Sequence, residues 1–380
     1  MKTPLSQNRY SSLQAVRALA ALAVVFHNTN FAQHELTGAN NRLLLGASLG
    51  ELGVDLFFVL SGFLMVRTTW GKAPGLKAAG DFLASRALRI YPVYWVMAVV
   101  WAAVLAFWPE AGLGRQSADL ISSLLLVPAD AMPQLTQAWS LVFEAFFYLV
   151  FGLIMLTPHR LAALGGWAAW LAICAVSGFR IPTAVGHLVS NPLALEFLIG
   201  CGVAVIARGR ISRPLLLLAA GALLTPAGEF ARLRLHVDNA TAEAVRVLLV
   251  GLPAGLVVLG AVGLEKALRL TVPKWLEAMG DRSYALYLVN NPVACCIAAG
   301  FLGGLGGGFI TDGVFAVCTV VLSLVAMELL HAFVEQPAMA FGKLVIRMTA
   351  PVLPRPIRTA NAATGTPRNR GASRVLRRAA

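Results

Sequence analysis

Two ionisable residues stand inside the first apolar segment of the chain, where charged side chains are rare. The segment LQAVRALAALAVVFHNTN, residues 13–30, carries Arg17 and His27 among alanine, leucine and valine. An ionisable side chain inside a membrane span costs roughly 2.5–3.5 kcal/mol on insertion scales, so such residues usually face an interior cavity. There an imidazole can act as a general base, and a guanidinium can hold a phosphate. A snorkelling arginine and a histidine bonded between helices fit the pair equally well.

Further residues of this kind recur in the segments that follow. GVDLFFVLSGFLM contains Asp55 and Ser61, although Ser61 with its neighbouring glycine also suits close helix packing. In SRALRIYPVYW, Arg86 and Arg89 share a helix face, which suits either a polyphosphate ligand or plain control of topology. AWSLVFEAFFYLVFG buries Glu144 among aromatic side chains, where a carboxylate must be paired, protonated or in water. Charged groups in this many apolar segments indicate an internal polar cavity.

The elements that must position these residues are membrane helices. Of the 380 residues, 58% are hydrophobic and 13% are charged, and the mean hydropathy is +0.73, whereas soluble proteins average about 25% charged residues. The predicted fold class is all-α, a polytopic transmembrane helical bundle of about ten helices, because each span needs about 20 apolar residues. The expected spans are 13–30, 50–66, 90–108, 138–157, 161–178, 190–207, 214–228, 245–264, 283–302 and 309–332.

The positions of the basic residues predict an orientation and argue against one class of partner. The net charge is +13, and most of the 31 lysines and arginines fall on one side of the predicted bundle. By the positive-inside rule, both termini are cytoplasmic, and the charge reflects topology rather than nucleic-acid binding. Residues 1–342 are expected to form the membrane domain, and residues 343–380 a basic, disordered cytoplasmic tail. Contact of this tail with anionic lipid headgroups is the alternative. The five cysteines lack metal-ligand spacing, so no metal site is predicted.

Taken in order, the segments resemble the acyltransferase-3 family of integral membrane acyltransferases, in the branch that O-acetylates bacterial exopolysaccharides. The matching pieces span residues 13–337, and their order and spacing together carry the resemblance. They are LQAVRALAALAVVFH, GVDLFFVLSGFLM, RALRIYPVYW, AWSLVFEAFFY, NPLALEFLIG, GDRSYALYLV and the closing EQP.

The resemblance implies an O-acyltransferase of the bacterial inner membrane with no bound cofactor. The donor would be a cytoplasmic acyl-CoA, usually acetyl-CoA, and the acceptor a hydroxyl of an exported or cell-envelope carbohydrate or lipid-linked glycan. By this analogy His27 is the base or the acyl carrier, Arg17 supports donor binding, and Glu144 orients the core of the site. Arg86 and Arg89 would meet the phosphates of the donor. Asp55, Ser61 and Tyr148 are also expected to bind substrate.

Two positions depart from the family pattern, and both are counted among the binding residues. The family places its histidine eleven residues after the arginine, often within a His-His pair, whereas here Asn28 holds that position and His27 precedes it. At about 100° per residue, position 28 projects within about 20° of Arg17 and position 27 about 80° away, so either side chain could face the cavity. In the ninth span, Asn290 replaces a histidine of the family and cannot take up a proton at neutral pH.

Two other functions are compatible with these residues. A transporter or flippase of a lipid-linked glycan also needs polar residues inside its helices, but it moves its substrate without consuming acyl-CoA. A catalytically inactive family member would act as a binding subunit, and the two asparagines keep this alternative open.

Overall fold

The computed structural model describes residues 10–38, 41, 47–114, 120–235, 239–268, 271–301 and 309–349. Within these ranges all regular secondary structure is helical, and no strand is present. The predicted all-α fold class is therefore confirmed.

The helices coincide with the predicted spans and add short connecting helices. Their bounds are α1 Ser11–Thr37, α2 Leu52–Thr69, α3 Leu76–Phe107, α4 Leu120–Leu125, α5 Trp139–Ile154, α6 Arg160–Ser177, α7 Ala184–Ser190, α8 Ala194–Ile206, α9 Pro214–Arg234, α10 Asn239–Arg246, α11 Leu252–Leu268, α12 Lys274–Asp281, α13 Ser283–Phe301, α14 Phe309–Leu330 and α15 Gln336–Thr349. The π-helical turns Val247–Gly251 and His331–Glu335 join α10 to α11 and α14 to α15.

Two of the predicted spans do not meet the length and hydropathy expected of a membrane-crossing helix. Eight helical stretches of the described chain are long and apolar enough to cross a membrane, and α1 and α13 are not among them. Both helices carry polar residues within their apolar sequence, including Arg17 and His27 on α1 and Asn290 on α13. The two helices pack against each other, and α13 is buried along most of its length. The two helices that carry these polar residues are therefore neighbours in the bundle.

Small residues let the neighbouring helices approach this pair closely. α2 packs against both α1 and α8. At the α2–α8 crossing, Gly62 faces the backbone of Phe197 and Gly200 faces the backbone of Val59, and a β-carbon at either glycine would collide with a carbonyl oxygen. Small residues at such crossings allow the close backbone contact that holds membrane helices together. A β-carbon at Gly53 would likewise collide with the carbonyl oxygen of Ala20, so α2, which carries Ser61, also lies close against α1.

The expected end of the membrane domain falls within a helix, and its position stays a prediction. Residue 342, the predicted last residue of the domain, lies inside α15, which continues to Thr349. Residues 350–380 of the predicted tail lie outside the described residues, and their disorder stays a prediction.

Gly200→Val is expected to lower the thermal stability of the purified protein. The new side chain would meet the backbone of α2, which cannot move aside cheaply, and overpacking of this kind costs about 1–3 kcal/mol. The measurement is the melting temperature in detergent micelles. Gly202 on the same helix has no atom within 4 Å of an added β-carbon, so Gly202→Val should melt like the parent protein. Equal melting temperatures for the two variants would contradict the α2–α8 packing.

Candidate active site

A cavity beside the first half of α1 gathers residues from α1, α2, α3, α5 and α13. We call it the arginine cavity. It contains six of the side chains predicted from separate segments of the sequence, together with residues of α13 that were not predicted. The polar side chains that line it are Arg17, Ser61, Arg86, Arg89, Ser140, Glu144, Tyr148, Ser283, Tyr284 and Tyr287.

Glu144 organises the hydrogen bonds of the arginine cavity. Its Oε1 accepts a hydrogen bond from Ser61 Oγ at 2.9 Å and another from the hydroxyl of Tyr148, one helical turn further along α5. The guanidinium of Arg86 lies 5.6 Å from the centroid of the Tyr148 ring, and its Nε is buried without a hydrogen-bond partner. An unsatisfied buried donor costs about 1–3 kcal/mol, so the Nε of Arg86 is a donor that an acceptor oxygen of a ligand would satisfy.

The charges that line the arginine cavity are unbalanced. Three guanidinium groups, those of Arg17, Arg86 and Arg89, stand against the single carboxylate of Glu144. Guanidinium groups bind phosphate and carboxylate through paired N–H donors. The cavity therefore suits an anionic ligand. Within the described residues, no cluster of histidine, cysteine, aspartate and glutamate could hold a metal ion.

Arg17 is held by a residue far away in the sequence. Its side chain is buried, and its Nε and Nη2 donate hydrogen bonds to the hydroxyl of Ser283 at 3.2 and 3.0 Å. Ser283 is the first residue of α13 and is itself fully buried. This contact joins the starts of α1 and α13 at the edge of the arginine cavity.

A second cavity, of about 180 Å³, lies further along α1 and contains both His27 and Asn28. We call it the histidine cavity. Both His27 and Asn28 therefore line this cavity. The residues that line it are Val24, His27, Asn28, Phe31, Glu51, Val54, Met132, Thr136, Gln137, Trp139, Tyr287 and Asn291.

His27 and Asn28 engage different partners within the histidine cavity. His27 Nε2 lies 3.6 Å from Glu51 Oε1. Asn28 Nδ2 instead donates a 2.5 Å hydrogen bond to Asn290 Oδ1 on α13. Asn290 is fully buried, lines neither cavity, and donates to the backbone carbonyl of Tyr287 at 2.8 Å. The two asparagines that depart from the family pattern thus form one contact between α1 and α13.

Val54 and Tyr287 line both cavities and form the wall between them. The hydroxyl of Tyr287 donates to the backbone carbonyl of Gln137 at 2.7 Å and lies 2.6 Å from Ser140 Oγ, which fixes the ring in place. Arg17 and His27 are ten residues apart on one helix, which corresponds to about 15 Å along its axis. The two cavities are neighbours along α1. The arginine cavity near Arg17 has a cationic lining, and the histidine cavity further along the helix contains the imidazole of His27.

Asp55 lies in a different environment from the predicted substrate-binding one. It is almost fully buried, lines neither cavity, and accepts hydrogen bonds from Arg246 Nε and Nη2 at 2.8 and 3.0 Å. Sequence reasoning missed Arg246 and also Glu51. Each has a feature that could have revealed it in the sequence. Arg246 stands in an apolar run as Arg17 does, and Glu51 precedes Asp55 by one helical turn. Ser140, Ser283, Tyr284 and Tyr287, which line the arginine cavity, were not predicted either.

Comparison with known proteins decides the family. The family model for the type 3 acyltransferase domain matches residues 10–329. The chain belongs to the acyltransferase-3 family. The resemblance seen in the order of the motifs is confirmed, and the protein is an acyltransferase. Together with its apolar helices, this makes it a multi-pass membrane enzyme.

Several named relatives are similar to this acyltransferase. Exopolysaccharide production protein ExoZ of Rhizobium meliloti (strain 1021) is 33% identical over 275 residues, which cover 68% of this chain and 81% of ExoZ. Peptidoglycan O-acetyltransferase OatA of Listeria monocytogenes is 27% identical over 330 residues, covering 77% of this chain and only 50% of OatA. Acyltransferase MdmB of Streptomyces mycarofaciens is 27% identical over 374 residues, with coverage of 87% and 92%. No solved structure matches the acyltransferase.

Ser283→Ala is expected to destabilise the acyltransferase by about 1–3 kcal/mol, because a buried guanidinium loses the acceptor of two hydrogen bonds. The measurement is the melting temperature in detergent. Ser323 is an equally buried serine whose hydroxyl has no hydrogen-bond partner, so Ser323→Ala should not lower the melting temperature. A Ser283→Ala variant as stable as Ser323→Ala would contradict the role of this contact.

Proposed function

We propose that this acyltransferase is an O-acetyltransferase of the bacterial inner membrane. It moves an acetyl group from cytoplasmic acetyl-CoA to a hydroxyl of an exported or cell-envelope carbohydrate. The positions of the lysines and arginines support cytoplasmic termini. The similarity to ExoZ, an exopolysaccharide production protein, and to OatA, a peptidoglycan O-acetyltransferase, supports a carbohydrate acceptor.

The observation that carries this proposal is the pair of neighbouring cavities along α1. One is lined by three arginines and the other contains a histidine, and Val54 and Tyr287 are shared between them. Acyl transfer needs a cationic site for a phosphorylated donor and a base for a hydroxyl acceptor, at a distance that a single elongated donor can span. The arginine cavity provides the cationic site, and the adjacent histidine cavity provides the base.

The arginine cavity is the proposed site for the phosphates of the donor. Arg86 and Arg89 lie on neighbouring turns of α3, and Arg17 faces them from α1. The buried, unpartnered Nε of Arg86 gains a partner when a phosphate oxygen binds. Glu144 holds Ser61 and Tyr148, so it keeps the wall of the cavity ordered beside the bound donor.

His27 is the proposed residue for the chemical step. The oxygen of the acceptor hydroxyl bonds to the carbonyl carbon of the thioester, and the carbon–sulfur bond breaks. The proton of the hydroxyl passes to the imidazole of His27, and the thiolate that leaves is protonated to free coenzyme A. The same imidazole could first take the acetyl group and then pass it to the hydroxyl. In both routes the reaction depends on His27.

His27→Ala is expected to lower O-acetylation by roughly 10²- to 10⁴-fold, the usual contribution of a positioned general base. The measurement is the acetate that alkali releases from the exported polysaccharide of the host, at matched protein levels. His34→Ala is the control, because His34 is exposed near the end of the same helix. Acetylation at the wild-type level in His27→Ala would contradict the assignment.

Arg86→Ala is expected to raise the KM for acetyl-CoA by roughly 10- to 100-fold, because a hydrogen bond to a charged group contributes about 1.5–3 kcal/mol. The measurement is the release of coenzyme A thiol by membrane vesicles, which also distinguishes acyl transfer from transport without chemistry. Arg210→Ala removes an exposed arginine from the connector after α8 and should leave the KM unchanged. Equal values of KM for both variants would place the donor elsewhere.

A further inference from the structure

The segment Ala47–Glu51 lies directly against α1 at the level of His27. Gly50 permits this approach, since a β-carbon added there would lie 2.5 Å from the Cβ of His27 and would collide with the carbonyl oxygen of Ala23. The next residue is Glu51. The close approach of the backbone therefore brings a carboxylate to the imidazole.

Glu51 and His27 face each other at the histidine cavity. Their closest atoms, Oε1 and Nε2, are 3.6 Å apart, and 39% and 20% of the two side chains are exposed. The ring of Phe31 lies nearly parallel to the imidazole, with an angle of 10° between the planes and 6.2 Å between the centroids. A carboxylate this close to an imidazole stabilises the imidazolium that forms when a proton is taken up, and this attraction favours the ring orientation that faces the carboxylate.

Glu51 is itself held by a second ion pair. Its Oε2 lies 3.2 Å from Arg246 Nη1, while the Nε and Nη2 of the same guanidinium bind both oxygens of Asp55. Asp55 is buried in α2, and a π-helical turn, a feature that is frequent at functional sites, begins directly after Arg246. The contacts run from Asp55 through Arg246 and Glu51 to His27.

We propose that Glu51 is the positioning residue that orients His27 for proton transfer from the acceptor hydroxyl, and that Arg246 and Asp55 hold Glu51 in place. This inference rests on the proposed function, in which His27 takes up that proton. Asp55 and Glu51 share the one guanidinium of Arg246, and Glu51 is the carboxylate of the two that faces the imidazole.

The test uses Glu51→Gln, which keeps the size of the side chain and removes its charge. Acetyl transfer is followed with radiolabelled acetyl-CoA in inverted membrane vesicles, from a host strain that lacks its own copy of the gene and carries the native acceptor. Residues in contact couple by roughly 2- to 150-fold, and kcat should fall within that range. The KM for acetyl-CoA should stay at its wild-type value, because the arginine cavity is unchanged.

Glu110→Gln is the matched control for the loss of a negative charge. Glu110 is exposed in the short helical turn that follows α3, so this variant should keep both kcat and KM. Melting temperatures of all variants in detergent show whether each one is folded. An unchanged kcat in Glu51→Gln overturns the proposal, and so does a loss of kcat accompanied by an equal rise in KM.

A second arm places Glu51→Gln in a His27→Ala background. With no imidazole to orient, the additional substitution should cause no further loss of transfer, whereas an equal loss in both backgrounds contradicts a role through His27. If His27→Ala alone transfers acetyl at the wild-type rate, the role of His27 in the proposed function fails. The failure of the proposed function is thus distinguished from a failure of the inference about Glu51.

Discussion

The burial of Arg17 in an otherwise apolar part of the bundle is the constraint on which the rest of the site depends. A guanidinium stays charged in a protein, and an ionisable group inside a membrane span needs partners or a polar cavity. Ser283 accepts two of its hydrogen bonds, and the arginine cavity surrounds it on another side. Because this contact joins the starts of α1 and α13, it sets their register, and Asn290 then meets Asn28 further along both helices.

The same constraint explains why charged side chains near the site occur in linked groups. Asp55 is buried against Arg246, which also binds Glu51, and Glu51 faces His27. A charge removed from water is tolerated when opposite charges and hydrogen bonds compensate it, and such a group is then rigid. On one side of α1, this rigid group leads to the histidine cavity. The arginine cavity lies beside an earlier part of α1, and its lining sets three guanidinium groups against one carboxylate.

The lining of the arginine cavity was largely predictable. Ser61, Arg86, Glu144 and Tyr148 each stand out within an apolar segment, and helical spacing directs polar residues of such segments toward an interior cavity. Asp55 stands out in the same way, but it lines neither cavity. Its partner lies 191 residues further along the chain, and no local pattern of spacing links two residues so far apart. The sequence therefore indicated a polar side chain without indicating what it binds.

By itself, the sequence determined the family, the all-α membrane fold and the positions of the helices, because these depend on composition, on the order of motifs and on apolar runs. Only the tertiary structure decided how the site is divided between two cavities. Val54 and Tyr287 form the wall between them, and the partners of the charged residues come from Arg17 meeting Ser283, which lies 266 residues away, and from Gly50 letting Glu51 approach His27. Such contacts arise from the packing of one helix against another, where the fit of side chains across the interface, and not their spacing along the chain, selects the partners.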